Sequence, residues 1–146
     1  MKTNAQNLQV LYEDNHLIAV NKRAGDIVQG DKTGDIPLSE IVKAFLVEKY
    51  HKPGEAYLGV VHRLDRPTTG LVLFAKTSKA LPRLNAAFAT KQEVSKQYWA
   101  LVEKKEIPQE ATLTHFLVRN TTQNKSYAYP NERPQSQKAS LKYKTL

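Results

Sequence analysis

Alternating apolar and polar residues near the N-terminus predict a β-hairpin. Residues 8–12 and 16–20 carry the alternation, and the three polar residues between them, 13–15, have turn chemistry. The next segment, residues 21–37, is interrupted by three glycines and is predicted as a loop. The chain therefore begins with two paired strands and a long connection.

Two segments carry apolar residues at helical spacing. The first ends near Tyr50, and its apolar positions are Leu38, Ile41, Val42, Phe45 and Leu46. The second is predicted to begin with Thr77 or Ser78 as N-cap and to tolerate Pro82 in its first turn. Its predicted buried face consists of Leu81, Leu84, Ala87 and Phe88.

Further strands are predicted wherever short apolar or alternating runs are bounded by turn residues. They are residues 57–61, 70–75, 94–102, 111–118 and 138–146. The polar segment 120–137 contains two prolines and is predicted as an exposed, mobile loop. No further strand follows residue 146, so we expect the domain to be incomplete.

Length and composition narrow the class of protein. A chain of 146 residues is one domain's worth, and it shows no internal repeat or dividing linker. Apolar runs such as 71–75 are too short to span a bilayer, and residues 1–7 lack the apolar stretch of a secretory signal. We therefore expect a soluble, cytoplasmic protein.

Cysteine and histidine usage bears on metal and redox chemistry. The chain has no cysteine, which excludes disulfides, thiolate zinc sites, iron–sulfur clusters and a cysteine nucleophile. Its four histidines are far apart in sequence and form no pair spaced to hold a metal from one helix. We expect no metal site.

The charge balance favours a polyanionic partner. Lys and Arg number 22 against 14 Asp and Glu, a net charge of +8, which attracts nucleic acid by steering and counterion release. The alternative is a basic but unspecialised surface. Residues 119–146 hold six positive side chains, one glutamate and the rings of Tyr127 and Tyr129, which suits an RNA contact or a solvated loop.

A phosphate-binding loop is the first candidate for chemistry. Residues 25–33 nearly match the pattern GxxxxGK[ST] after a strand. Asp31, however, displaces Lys32 from its place and adds negative charge, and Gly34 and Pro37 delay the helix that would hold the phosphate. We reject this interpretation.

Asp65 is the stronger candidate. It lies in the polar segment 62–69 between two apolar strands, with Arg63 and Arg66 beside it, and neighbouring guanidinium groups favour an ionised carboxylate. Such a carboxylate can act as nucleophile, general base or electrostatic stabiliser, while the arginines hold phosphates. The alternative is a turn aspartate that the arginines neutralise.

Residues 96–100 offer an aromatic contact. In a strand, Lys96 and Tyr98 share one face while Trp99 lies on the other, so one ring is expected in the core. The other ring could stack on a base, although for a lone pair of aromatic residues packing of both rings is the commoner case.

These segments carry a family resemblance. Residues 62–70, His-Arg-Leu-Asp-Arg-Pro-Thr-Thr-Gly, resemble the signature loop of the RluA-type pseudouridine synthases. In the same order as in the family, residues 21–25 are similar to its NKPAG motif and residues 96–100 to its KxYxA motif. Arg23 stands where the family usually has proline, and Thr69 where it usually has serine.

The resemblance implies an activity and a set of site residues. Asp65 would be the catalytic nucleophile, Tyr98 would pack against the target uracil and assist at C5, and Arg63 would help hold the space of the extruded base. RNA contacts are predicted for Arg63, Arg66, Lys96 and Lys22. The family's reaction breaks the N1–C1′ bond of a uridine in RNA, rotates the uracil and rejoins it through C5, and no cofactor or metal is implied.

The resemblance also implies a fold and an extent. We expect an α+β catalytic domain with a mixed, largely antiparallel β-sheet flanked by helices, of which residues 1–146 form the N-terminal part, without an S4 domain. Family members continue into a strand with a TGRxHQIR-like motif whose arginine pairs with the catalytic aspartate, and this chain lacks that motif. The two hypotheses are a monomeric uridine isomerase acting on ribosomal or transfer RNA and an RNA-binding, catalytically incomplete fragment.

Overall fold

The computed structural model describes residues 2–90 and 93–146, which fall within two compact units, residues 1–98 and 99–146. The described part of the first unit contains four strands and two helices: β1 (Val10–Glu13), β2 (Leu17–Lys22), α1 (Leu38–Lys49), β3 (Gly59–Val60), β4 (Gly70–Ala75) and α2 (Ala80–Thr90). The second contains three strands: β5 (Glu110–Asn120), β6 (Lys125–Tyr129) and β7 (Gln137–Lys144). No helix among the described residues is long and apolar enough to cross a membrane.

The sheet of the first unit has the strand order β1-β2-β4-β3, and every pairing in it is antiparallel. Because side chains alternate across a strand, Ile18 and Val20 of β2 share the face on which Lys22 also lies. The buried core joins this sheet to α1 and consists of Ile18, Val20, Val28, Leu38, Val42, Leu46, Ala56, Val72 and Phe74.

The predicted first helix is confirmed, and the loop before it takes part in its N-terminus. Pro37 is the N-cap and no side chain caps the helix. Instead, the N–H groups of Leu38 and Ser39 donate to the carbonyls of Ile27 and Val28, at 2.7 and 3.1 Å. Both loop residues are buried, so this part of segment 21–37 packs against the helix.

The second helix is also confirmed, with the predicted cap. The hydroxyl of Thr77 accepts a hydrogen bond from the N–H of Ala80 at 3.1 Å. The predicted apolar face is half-buried, and Leu81 approaches the sheet at Gly59. A Cβ at Gly59 would lie 2.8 Å from Leu81 Cδ1, so glycine is what permits this close packing.

The second unit is a three-stranded antiparallel sheet of order β6-β5-β7. It corrects the prediction of a loop over residues 120–137, because Lys125–Tyr129 forms a strand paired with the end of β5. Asn124 adopts a positive φ of 50°, which asparagine tolerates and which closes the turn. The last strand, β7, finds its partner upstream in β5.

The strand predicted over residues 94–102 is wrong. Residues 93–109 contain neither helix nor strand among the described positions. Tyr98 is 61% and Trp99 84% exposed, so neither ring enters the core. Apolar and aromatic composition is insufficient here because a strand also needs a neighbouring edge to pair with.

The fold class is confirmed. Two helices and antiparallel sheets give an α+β protein, and the described strands pair without a parallel neighbour. The expectation of a largely antiparallel arrangement therefore holds, distributed over two sheets.

Candidate active site

The loop that carries Asp65 connects β3 to β4. Its centre is a tight turn in which the N–H of Thr68 donates to the carbonyl of Asp65 at 3.0 Å. Gly70 ends the loop with a φ of 131°, a conformation that side-chain-bearing residues rarely adopt. The turn leaves the Asp65 side chain exposed. Its carboxylate makes no ion pair or side-chain hydrogen bond within residues 2–90 and 93–146.

The buried side chain of Lys22 holds the backbone of this loop. Its side chain is 0% exposed, and its Nζ donates to the carbonyls of Arg23, Arg66 and Thr68 at 3.1, 3.0 and 2.7 Å. An ammonium group has three hydrogens, so its donors are all used inside the protein. Two of the three acceptors, Arg66 and Thr68, follow Asp65 in the turn, so Lys22 fixes the backbone that carries the carboxylate.

This geometry corrects the prediction that Lys22 contacts RNA. Burial lowers the pKa of Lys22 below its ordinary value, while the carboxylates of Asp26 and Asp65 favour the charged amine and Arg66 opposes it. The same backbone is joined a second time, because the N–H of Gly25 donates to the Arg66 carbonyl at 2.9 Å. Residues 22–25 and 65–68 thus form one hydrogen-bonded unit.

His62 anchors the start of the loop. Its Nε2 accepts a hydrogen bond from the N–H of Leu73 at 3.0 Å, one residue beyond the last pairing of β3 with β4. Its ring stacks on Phe88 of α2, with centroids 4.8 Å apart. Burial, with a smaller contribution from the positive charge of Lys96, lowers the pKa of His62, which keeps Nε2 available as an acceptor.

The guanidinium of Arg66 contacts carboxylates other than that of Asp65, next to which it stands in the sequence. Its guanidinium donates to Asp35 at 2.7 Å and to the Thr33 hydroxyl at 2.8 Å, and it lies 3.5 Å from Asp31. These contacts tether residues 31–35 beside the Asp65 loop. The segment that nearly matches a phosphate-binding pattern therefore presents carboxylates to an arginine.

The remaining predicted residues are exposed. Arg63, Lys96 and Tyr98 lie at the surface of the first unit. Lys96 is close enough to His62 for its charge to affect the histidine, which places it near the start of the loop. For Tyr98 and Arg63, the described part of the chain provides no ion pair or side-chain hydrogen bond.

Sequence reasoning missed the roles of Lys22 and His62, although a signal for Lys22 existed. Strand alternation puts Lys22 on the same face as Ile18 and Val20, which is the core face. A lysine at such a position must find acceptors inside the protein. No comparable signal in the sequence identifies the partners of His62, because Leu73 and Phe88 come from two later elements.

Comparison with known proteins identifies relatives for most of the chain. A family described as RNA pseudouridylate synthase matches residues 16–146. An uncharacterised RNA pseudouridine synthase of Mycoplasma capricolum is 38% identical over 101 residues, covering 65% of this chain and 32% of that protein. Ribosomal large subunit pseudouridine synthase C of Vibrio vulnificus is 39% identical over 93 residues, covering 64% of this chain and 27% of that protein.

Solved structures show the same fold. Human RNA pseudouridylate synthase domain containing 4 superposes with a TM-score of 0.77 at 23% identity, covering 96% of this chain and 55% of that one. The matched region thus spans about a third or less of the curated relatives above and about half of this human chain. The family match and these relatives confirm the resemblance, and the chain belongs to the RNA pseudouridylate synthase family.

Proposed function

We propose that this chain carries the nucleophile of an enzyme that isomerises uridine to pseudouridine in RNA. The observation that carries the proposal is the Asp65 loop: an exposed carboxylate on a turn whose backbone is held by the buried amine of Lys22. A nucleophile must be reachable by substrate yet fixed in position, and this arrangement meets both needs. Family membership supplies the reaction class.

The chemistry needs a carboxylate and no redox partner. Asp65 would attack either C6 of the uracil or C1′ of the ribose, with cleavage of the N1–C1′ bond. After the uracil rotates, a C5–C1′ bond forms, the bond to the Asp65 carboxylate breaks, the hydrogen on C5 leaves as a proton and N1 takes up a proton from solvent, so the product has the mass of the substrate. The target base must first leave its stack, which suits an exposed carboxylate.

The roles that we propose for the other predicted site residues depend on the exposure of their side chains. Tyr98, 61% exposed, is available to pack against the flipped uracil and to assist at C5. Arg63 would hold the space the base has left, and Lys96 would contact phosphate. The guanidinium of Arg66 forms ion pairs with Asp35 and Asp31. Arg66 would therefore contact RNA only if phosphate replaced these two carboxylates.

Ribosomal RNA is the substrate that we favour. Relatives from several bacteria are named ribosomal large subunit pseudouridine synthase C or D. Transfer RNA is the second candidate, and structured RNA of either kind satisfies the proposed chemistry.

A second function is RNA binding without isomerisation by residues 1–146 alone. It is favoured by the Asp65 side chain, whose carboxylate makes no ion pair in the described ranges 2–90 and 93–146. This alternative predicts salt-dependent RNA binding and no turnover.

Release of tritium from C5-labelled uridine in unmodified ribosomal and transfer RNA tests both functions. We expect release by the wild-type chain and none by Asp65→Asn, which removes the nucleophile with little change in shape. Glu55→Gln, an exposed acid elsewhere in the first unit, is the matched control and should turn over normally. Turnover by Asp65→Asn contradicts the assigned nucleophile, and a folded, RNA-binding but inactive wild type favours the second function.

A further inference from the structure

One face of the β5–β7 sheet carries four of the five lysine and arginine side chains of strands β5, β6 and β7. Residues directly opposite each other in an antiparallel sheet share a face, and the register pairs Phe116 with both Tyr129 and Lys138. The hydroxyls of Thr114 and Ser140, 2.7 Å apart, lie on this same face. Its members, called the basic face below, are Phe116, Lys125, Tyr127, Tyr129, Lys138, Lys142 and Lys144.

The charge on the basic face is accessible. All four lysines are exposed, and within residues 2–90 and 93–146 only Lys144 of the four has an acidic partner, Glu110 at 3.1 Å. The guanidinium of Arg133 lies 4.0 Å from the centroid of the Tyr129 ring, which adds a fifth cation to this face. Tyr127 is 44% exposed between these charges.

The opposite face differs in composition. Its side chains are mainly small or apolar, and they include Ala111, Leu113, Leu117, Ala139 and Leu141. Arg119 is the one strand cation that the register places there. The four strand lysines are therefore segregated by the pairing register, a feature that net charge alone does not reveal.

We propose that the basic face is a second RNA-binding surface, apart from the Asp65 loop, that holds phosphates of a single-stranded segment while Tyr127 stacks on a base. The inference rests on the proposed RNA function and extends it. Charge complementarity favours a polyanion, because four lysines and an arginine face one acid. An exposed ring among those cations favours bases over carboxylates, since every base offers a stacking surface.

RNA titrations of the full chain at several salt concentrations test the inference, with a fluorescent oligouridine as probe. In the test variant, Lys125, Lys138 and Lys142 are all replaced by Gln. Each phosphate contact on a single strand contributes about 0.7 to the slope of log affinity against log salt, so we expect that slope to fall by about 2. Affinity at 100 mM salt should then drop about 10- to 100-fold.

Three further variants sharpen the result. Arg119→Gln removes one positive charge from the opposite face of the sheet and should change affinity less than about twofold. Replacing the three lysines by Arg keeps the charge and should restore binding, which separates loss of contact from loss of fold. Tyr127→Leu should weaken oligouridine binding several-fold, with the salt slope unchanged.

Four outcomes overturn the inference. The first two are absence of RNA binding by the wild type and an unchanged salt slope in the triple variant. The others are an equal loss of affinity in Arg119→Gln and displacement of the RNA by polyglutamate of the same charge as effectively as by unlabelled oligouridine. Asp65→Asn should bind as the wild type does, so failure of the isomerase proposal, read from tritium release, stays distinct from failure here.

Discussion

Among single residues, Asp65 and Lys22 have complementary roles: one presents a carboxylate to solvent, and the other holds the loop that carries it. Asp65 is exposed and free of side-chain partners within the described residues, while Lys22 is fully buried and donates to three carbonyls. The lysine of the NKPAG-like motif therefore serves the loop that carries the carboxylate. A positive charge inside the fold is tolerated here because every donor is satisfied.

Replacing Lys22 by Met should destabilise the protein. The methionine stem fills similar space, but three carbonyl acceptors lose their donor, at a cost of about 1 to 3 kcal/mol in the free energy of unfolding. Urea denaturation followed by circular dichroism measures the difference. Lys43→Met, which removes an amine paired with Glu40 at the surface of α1, should cost less than about 0.5 kcal/mol. Equal losses of stability in the two variants would contradict the proposed role of the Lys22 hydrogen bonds.

At the scale of elements, Arg66 joins the Asp65 loop to residues 31–35. Arg66→Gln should release that segment, so its backbone amides should exchange with deuterium faster. Global stability should fall by less than about 1 kcal/mol, since the arginine is partly exposed and its ion pairs are screened. Arg63→Gln is the matched control, three positions earlier on the same loop, and should leave exchange in 31–35 unchanged. Faster exchange in both variants would mean that the tether is not specific to Arg66.

Glu13 joins three parts of the first unit. At the end of β1 it accepts from Lys76 at 2.6 Å, from Lys49 at 2.7 Å and from the Tyr50 hydroxyl at 2.7 Å. Burial raises the pKa of Glu13, but these three donors outweigh it and lower the pKa from 4.5 to about 2. The carboxylate thus links β1 to the end of α1 and to the residue after β4.

This depressed pKa predicts a loss of stability in acid. The contribution of Glu13 is complete above its unfolded pKa of 4.5 and disappears as the pH falls towards 2, with a total of up to about 3 kcal/mol. Urea denaturation at a series of pH values measures it. Glu13→Gln should be less stable than wild type at pH 6 and should approach it near pH 2. A constant difference across this range would refute the linkage, and Glu40→Gln serves as the exposed control.

Local sequence patterns predicted both helices, the N-terminal hairpin and the position of Asp65 in a loop between strands. They failed where the pairing of strands determines whether a segment is a strand or a loop. Residues 94–102 have a strand-like composition and no strand, whereas residues 125–129 form a strand inside a segment that composition assigns to a loop. Strand alternation places Lys22 on the core face, but it does not identify the acceptors, because two of the three come from a loop 44 to 46 positions later and such long-range contacts leave no local trace.

At the scale of the whole molecule, burial is unevenly distributed between the two units. The buried hydrophobic residues among those described all lie between Ile18 and Ala80, in the first unit. In the second unit, Leu113 is 40% and Leu141 56% exposed, so the β5–β7 sheet depends largely on its own hydrogen bonds. Apolar burial supplies most of the free energy that resists opening.

Native-state hydrogen exchange of the full chain should therefore reveal two levels of protection. After correction for intrinsic rates, the amides of β2 and β4 that pair with each other should exchange about 100-fold or more slowly than those of β5 paired with β7. Both sets are hydrogen-bonded in central strands, so pairing alone predicts equal protection, and the difference isolates the contribution of the buried core. Lys22→Met should narrow the gap by lowering protection in β2 and β4 and leaving β5 unchanged. Equal protection in the two sheets of the wild type would show that the second unit draws its stability from a source other than the burial described here.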